Sequence, residues 1–274
     1  MSNPLISVIM PAHNSAQSIK TAIDSIIAQT YRNLEIIVVD DFSTDNTKDV
    51  ILGLTKIDPR IHYYALTEDD PDRFDPKLQR NINAGYSARN FGFTQCHGEL
   101  ITFQDADDAS LLNRLEIQLG LLEKYKATHI CTTTASFDEK KLGTTFDLKK
   151  HPDAGKLIAD PQELYRLSQK TKGLVAKISP ALNSRIPFHF KRLKILNKLF
   201  FGSLAPYPGA GNSPLFKREV IDKVSFRKLS NRIWPSFMGR GADRDFNFQV
   251  AETFKNSYVF DFQLYMWSRE VVVK

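Results

Sequence analysis

The feature that most narrows what this chain can become is a repeated exchange between two hydrophobic periods. Short continuous apolar runs rich in β-branched residues give way to segments whose apolar side chains recur every three or four positions. Leu5–Met10 reads as a buried strand closed by Pro11. Ile19, Ala22, Ile23, Ile26 and Ile27 then fall at helical spacing, with Asn14 or Ser15 available as the N-cap. Leu34–Val39 is a second strand, followed by the helix-start cluster Ser43-Thr44-Asp45 and a helix to about Leu54. Ile61–Leu66, Leu100–Phe103 and His129–Thr133 supply three further strands, with helices over Ala84–Gln95 and Asn113–Tyr125 between them. Strands alternating with helices imply βαβ units, so the expected fold class is α/β with a mainly parallel central sheet flanked by helices.

In such sheets ligands bind outside the carboxyl ends of the strands, which turns the sequence into a map. Pro11-Ala12-His13-Asn14 follows the first strand, Asp40-Asp41 the second, and Gln104-Asp105-Ala106-Asp107-Asp108 the fourth. Two carboxylates one residue apart, in the turn leaving a strand, can share a divalent cation. Hard cations such as Mg²⁺ or Mn²⁺ favour such oxygen ligands and keep water or substrate phosphates in their other positions. An isolated Asp-x-Asp is more often an acidic surface turn. Here it leaves a strand expected to be buried, and Asp108 adds a third acid whose repulsion a cation would relieve.

Other positions have two readings. Asp41 can accept hydrogen bonds from a nucleotide's base or ribose, or cap the next helix, a task for which Ser43 and Asp45 are better placed. His13 can stack on a base or be a turn histidine. Arg89, in a helix opened by Gly85, can meet phosphate or pair with an acid. Asp243 stands at a loop-to-helix junction after Gly239-Arg240-Gly241, where a carboxylate can act as a general base or as an N-cap.

Taken in order, these pieces resemble the inverting family-two glycosyltransferases of the GT-A fold, of the bacterial polysaccharide-biosynthesis type. Leu5–Asn14 is similar to that family's opening strand and donor loop, where Tyr is commoner than His13. Gln29-Thr30-Tyr31 with Leu34–Asp45 matches its second signature. Ala88-Arg89-Asn90-Phe91-Gly92 and Gly98-Glu99-Leu100-Ile101 lead into Asp105-Ala106-Asp107-Asp108 in the family's order. The likeness is strong over about residues 4 to 135, and looser over Gly211–Phe216 and Gly241–Phe246.

The resemblance implies a donor site built from Pro11, Ala12, His13, Asn14, Asp41, Arg89, Asp105 and Ala106, with Asp41 and His13 at the base. It implies a Mn²⁺ or Mg²⁺ ion on Asp107, assisted by Asp105, and Asp243 as catalytic base. The family's usual Glu-Asp is Ala242-Asp243 here, with Asp245 a partial replacement for the missing acid. Arg269 stands where the family often carries a His that meets the diphosphate. The implied reaction moves a sugar from a nucleotide-diphosphate donor, UDP being favoured, to a glycan or lipid-linked acceptor. One GT-A domain over 1–274 is expected, with a nucleotide-sugar half to about 135 and an acceptor half beyond. The alternative is a catalytically silent relative serving as a scaffold or partner.

The rest of the chain sets bounds. Pro11-Ala12-His13-Asn14 replaces the Gly-x-Gly-x-x-Gly turn of a dinucleotide-dependent oxidoreductase. A net charge of +6 suggests nucleic acid, yet the predicted ligand edge is acidic and no nucleic-acid motif is present, so no such partner is expected. Two cysteines outside any Cys-x-x-Cys pair, and a first segment lacking the basic and apolar regions of a secretory signal, point to the cytoplasm. Thr67–Asn83 is a polar insertion, expected to be a solvated loop rather than a flap over the donor. About residues 173–204 interleave aromatic and aliphatic residues with Lys and Arg. That composition suits peripheral contact at the inner face of the membrane, or a groove for an acidic acceptor. A pair of helices packing its apolar face on the domain is the reading preferred, with Pro180 and Pro187 breaking any single long helix.

Overall fold

A computed structural model describes residues 3–70, 73–75, 80–81, 85–151, 153–203, 205–234 and 241–268. In chain order its elements are β1 (Ile6–Ala12), α1 (Ile19–Ile27), β2 (Leu34–Asp40), α2 (Thr47–Thr55), β3 (Ile61–Ala65), β4 (Phe74–Asp75) and β5 (Arg80–Asn81). Next come α3 (Tyr86–Gln95), β6 (Leu100–Phe103), β7 (Ala109–Ser110), α4 (Arg114–Lys124), β8 (His129–Ser136), β9 (Leu157–Ala159) and α5 (Pro161–Thr171). Four short helices follow, α6 (Leu174–Ile178), α7 (Pro180–Arg185), α8 (Phe188–Lys191) and α9 (Asn197–Phe201), and then β10 (Leu215–Lys217), α10 (Ala242–Phe254) and β11 (Ser257–Trp267).

The large sheet has the order β3-β2-β1-β6-β10-β8-β11-β7, with β9 on β11, while β4 and β5 form a separate pair. The pairings β3–β2, β2–β1, β1–β6 and β8–β11 are parallel and hold most of the paired residues. The short strands β10, β7 and β9 run antiparallel to their neighbours. The α/β class with a mainly parallel sheet is therefore present, mixed at one side. Every residue of β2 is buried, as expected of a strand covered on both faces. One core cluster joins α1 and α4 to one face of the sheet, and a second joins α3 and α10 to the other.

Pro11 does not close the first strand. The Ile9 carbonyl accepts from the Gln104 amide on the β6 side, so by alternation residue 11 also faces that side. Pairing with β6 has ended by then, whereas pairing with β2 continues through Ala12 and Asp40. The missing amide hydrogen of Pro11 thus costs no ladder bond. Neither Asn14 nor Ser15 is the N-cap of α1, which is Ser18; the Ser15 carbonyl accepts from the Ser18 and Ile19 amides instead. The third strand stops at Ala65, and α3 begins at Tyr86.

Candidate active site

The ends of β1 and β2 are tied into one rim. The Ala12 carbonyl accepts from the Asp41 amide, and His13 Nδ1 lies 2.7 Å from the Asp41 carbonyl. The Asn14 amide donates to the Ser43 hydroxyl at 3.0 Å, and its side-chain oxygen accepts from the Thr44 amide at 2.8 Å. Within this rim Asp40 is structural, accepting from the Ser43 amide and the Tyr63 hydroxyl. Asp41 is 2% exposed, and its carboxylate accepts two hydrogen bonds from Arg73, at 2.8 and 3.1 Å. Asp45 accepts from the Thr47 amide at the start of α2, but the N-cap position expected of Ser43 or Asp45 belongs to Asn46.

At the end of β6, one carboxyl oxygen from each of Asp105, Asp107 and Asp108 lies within 4.8 Å of the others. Asp105 is held from both sides, by the Arg89 guanidinium and by Asn212 Nδ2 at 3.0 Å. The same Asn212 nitrogen reaches Asp108 at 3.2 Å, while the Ser268 amide donates to the other Asp108 oxygen at 2.7 Å. Asp108 is buried, and burial, followed by the charges of Asp105 and Asp107, pushes its carboxyl up to about 8. Asp107 is exposed. Three converging carboxylates, one open to solvent and one whose ionisation is opposed by its neighbours, are a hard oxygen-donor set that fits a divalent cation.

Asp243 lies in the first turn of α10 and is half-buried. The N-cap position belongs to Gly241, with no side-chain capping bond, so Asp243 is not the cap. A Cβ on Gly211 would lie 3.1 Å from Asp243 Oδ2 and 3.2 Å from Asn247 Nδ2. Asn247 Nδ2 donates to the carbonyls of Gly211 and Asp243, at 2.8 and 2.6 Å. Asn247 Oδ1 lies 2.7 Å from Nε2 of fully buried His129, so that nitrogen carries the proton; burial lowers the His129 pKa to about 4 and keeps the ring neutral. The Gly211-Asn212 step therefore touches the proposed base with one residue and the acidic triad with the next. On the other side, a Cβ on Gly85 would meet Pro11 at 3.1 Å and Arg89 Nη1 at 3.3 Å, which carries the contacts to the β1 rim.

Several expectations are corrected here. Of the two readings of Arg89, the structure shows the pairing with an acid: it is 5% exposed, ion-paired to Asp105, and its guanidinium carbon sits 5.7 and 5.4 Å from the ring centroids of Phe103 and Phe226. Ala12 and Ala106 are buried in the core, so only their main chain can face a ligand. Asp245 does not stand in for the missing acid. It is fully buried and accepts from the amides of Ile233 and Trp234, at 2.7 and 2.9 Å. Arg269, Gly239 and Arg240 lie outside the described residues, as does much of 67–83. Arg73 and Asn212 were not singled out by sequence reasoning. Arg73 is a lone cation beside Glu68-Asp69-Asp70, a signal that could have been weighed.

The sheet edge thus carries a carboxylate rim, an acidic triad and a separate carboxylate on a helix start. The comparisons make this specific: the family described as Glycosyl transferase family 2 matches residues 7–72 and 77–184, and the chain belongs to that family. Over 120 residues the chain is 36% identical to the putative teichuronic acid biosynthesis glycosyltransferase TuaG of Bacillus subtilis, covering 43% of this chain and 42% of that protein. Over 126 residues it is 35% identical to the UDP-Glc:alpha-D-GlcNAc-diphosphoundecaprenol beta-1,3-glucosyltransferase WfgD of Escherichia coli, covering 45% and 43%. The chain thus spans less than half the length of these curated relatives. Among solved structures, S. aureus TarS 1-349 in complex with UDP-GlcNAc superposes with a TM-score of 0.57 at 14% identity, covering 97% of this chain and 58% of that one. The mannosyltransferase PcManGT from Pyrobaculum calidifontis, in complex with GDP-Man and Mn2+, gives 0.53 at 17% identity, covering 96% and 55%. At such identities the likeness shows a shared fold.

Proposed function

We propose that this chain is a metal-dependent, inverting glycosyltransferase, and that it moves a sugar from a UDP-linked donor to a glycan or lipid-linked acceptor. The observation that supports the reading is the Gly211-Asn212 step: a Cβ on Gly211 would lie 3.1 Å from Asp243 Oδ2, and Asn212 Nδ2 lies 3.0 Å from Asp105 and 3.2 Å from Asp108. Asp107 and Asp105 would hold Mn²⁺ or Mg²⁺, which when bound offsets the charge of a departing diphosphate. Arg89 and Asn212 fix the Asp105 carboxylate for that task. Asp41 accepts from the nucleotide base, with His13 and Asn14 shaping the rim. Asp243 takes the proton of the acceptor hydroxyl as its oxygen bonds to the anomeric carbon; the bond from that carbon to the diphosphate oxygen breaks on the opposite face.

The relatives support the donor and acceptor classes: WfgD is named for UDP-Glc and a diphosphoundecaprenol-linked acceptor, and TarS was solved with UDP-GlcNAc. The same reading makes residues 1–274 one unit, with a donor half to about 135 and an acceptor half beyond, working on the cytoplasmic side. Thermal shift tests it, with UDP, GDP and dTDP, each with and without Mn²⁺, beside an Asp105→Ala/Asp107→Ala variant. A ligand at ~100 times its dissociation constant adds about 2.7 kcal/mol. A shift with UDP that requires both Mn²⁺ and the two aspartates is expected. No shift with any nucleotide would favour a silent scaffold.

A further inference from the structure

The excursion that carries α6 to α9 is closed at its base. A Cβ on Gly173 would fall 2.1 Å from the Phe200 carbonyl oxygen, and Gly202, at φ +57°, would bring one to 2.9 Å from the Lys172 carbonyl oxygen. The two ends of the excursion are therefore pressed backbone to backbone, which only glycine permits. Inside it, α6 packs on α7 and α9, and α8 packs on α9. Ala176, Phe200 and Phe201 are buried, and Lys191 Nζ donates to the Ser230 carbonyl at 2.7 Å. These contacts seat the excursion on the body of the protein.

They do not consume its apolar side chains. The expected helix pair with its apolar face packed inward is not what forms: Ile195 is 91% exposed and Ile178 76%, with Leu182, Phe190 and Leu193 each about half exposed. Isolated exposed hydrophobics are ordinary, but a run of them over α6, α7, α8 and the link from α8 to α9 marks an interaction surface. Lys177, Arg185, Lys194 and Lys198 are exposed among them, and no Asp or Glu occurs between Glu163 and Glu219.

We propose that α6 to α9 form a docking surface for an anionic lipid bilayer. Large aliphatic side chains interleaved with unopposed lysines match the boundary between headgroups and acyl chains, where apolar tips enter and cations remain at the phosphates. A second copy of the chain fits less well, because a two-fold interface would set this basic surface against itself. Nucleic acid would leave the exposed isoleucines in water. No helix among the described residues is long and apolar enough to cross a membrane, so the contact is peripheral. The excursion also leads back to the site. The Ala205 carbonyl, just past its end, accepts from the guanidinium of Arg244, the neighbour of Asp243, at 2.8 Å. A surface that holds lipid headgroups there would place a lipid-linked hydroxyl close to the first turn of α10. The docking surface goes beyond the reading of the reaction and does not depend on it.

Co-sedimentation of the whole chain with vesicles tests this without donor or acceptor. One set of vesicles is phosphatidylcholine alone, the other phosphatidylcholine mixed with phosphatidylglycerol. The protein is expected to pellet with the second and stay in solution with the first. Each basic residue near such a surface is worth about fivefold in partitioning, so Lys194→Glu/Lys198→Glu lowers it by at least ~25-fold. Ile178→Ser/Ile195→Ser lowers it by at least ~10-fold through lost apolar burial. All four side chains are exposed, so both variants should melt with the parent and bind UDP and Mn²⁺ as it does. The proposal is overturned if the parent stays in solution with both vesicle types, or if either variant pellets like the parent. Light scattering that shows a dimer abolished by the isoleucine pair, with no vesicle binding, would assign the surface to self-association instead.

Discussion

Arg73 grips both carboxylate oxygens of Asp41 from the insertion after β3, and its Nε reaches on to Asp69. The paired side chains are 9% and 3% exposed. A carboxylate this buried needs its cation, and breaking such a pair from one side usually costs about 3–5 kcal/mol. Arg73→Leu should lose about 3 kcal/mol in urea melts, the low end because Arg73 divides its contacts between Asp41 and the half-exposed Asp69. It should also weaken UDP binding at least ~10-fold, since a carboxylate without its partner no longer holds the orientation that accepts from a base. Unchanged UDP affinity by calorimetry would take Asp41 out of base recognition.

The acidic triad predicts a pH dependence. Asp108 has a folded pKa pushed up to about 8 from an ordinary 3.8. Between those values the folded chain keeps a proton that the unfolded chain has released. Stability of the metal-free protein should therefore fall as pH rises through this window, by at most about 1.4 kcal/mol per pH unit. A chelator-treated series of melts should show the decline, and Asp108→Asn should flatten it. Cation binding expels that proton, so Mn²⁺ affinity should climb with pH and release protons to the buffer. A flat series for the parent would mean that Asp108 is already ionised without metal.

Gly211 allows a test of Asp243 that leaves its chemistry intact. A methyl group there would lie closer to Asp243 Oδ2 than ordinary contact allows. Gly211→Ala should shift the carboxylate and lower turnover at least ~10-fold, with donor KM unchanged, as misplacing a catalytic group does. Asp243→Asn should lower turnover by the ~10²–10⁴-fold typical of general-base catalysis, with UDP binding retained. Steady-state kinetics of both variants decide; normal turnover in Asp243→Asn removes the base from the mechanism.

Behind the site, Phe226 and Phe246 stack at 4.5 Å within a cluster that includes Phe93, Phe103 and Phe216. Phe103 and Phe226 also carry the Arg89 guanidinium on their faces. Phe246→Ala should cost about 3–5 kcal/mol in denaturant melts, as aromatic truncation in a core does. It should also weaken Mn²⁺ binding, because the rings that seat Arg89 position Asp105. A large stability loss with unchanged Mn²⁺ affinity would separate the core from the site.

The edge formed by the ends of β1, β2 and β6 was legible because each strand there is a contiguous apolar run and each polar cluster follows it directly, as with Ile36–Asp41 and Leu100–Asp105. Neighbours in sequence remained neighbours in the site. What escaped came from afar: Asn212 reaches Asp105 across 107 positions, and the Ser268 amide reaches Asp108 across 160. No local period encodes such meetings. β11 was different, since Phe260, Phe262, Leu264 and Met266 alternate with Asp261, Gln263 and Tyr265 in a period of two that was there to be read. Asp243 and Asp245 show a further limit. The same residue type two positions apart yields one half-buried carboxylate at the site and one locked in the core, according to which side of α10 faces the Ile233–Trp234 turn.

The place of β10 has a consequence for how the chain is made. Leu215–Lys217 lies between β6 and β8, whose last residues, Phe103 and Ser136, are synthesised well before it. As the first half leaves the ribosome, the inner edges of β6 and β8 have no partner until residue 217 emerges, and unpaired edges invite wrong pairing. A truncated first half would not be a smaller nucleotide-binding protein but a sheet with a missing stave. Exchange of acceptor specificity between relatives should therefore succeed by grafting loops around β10, and fail by joining halves.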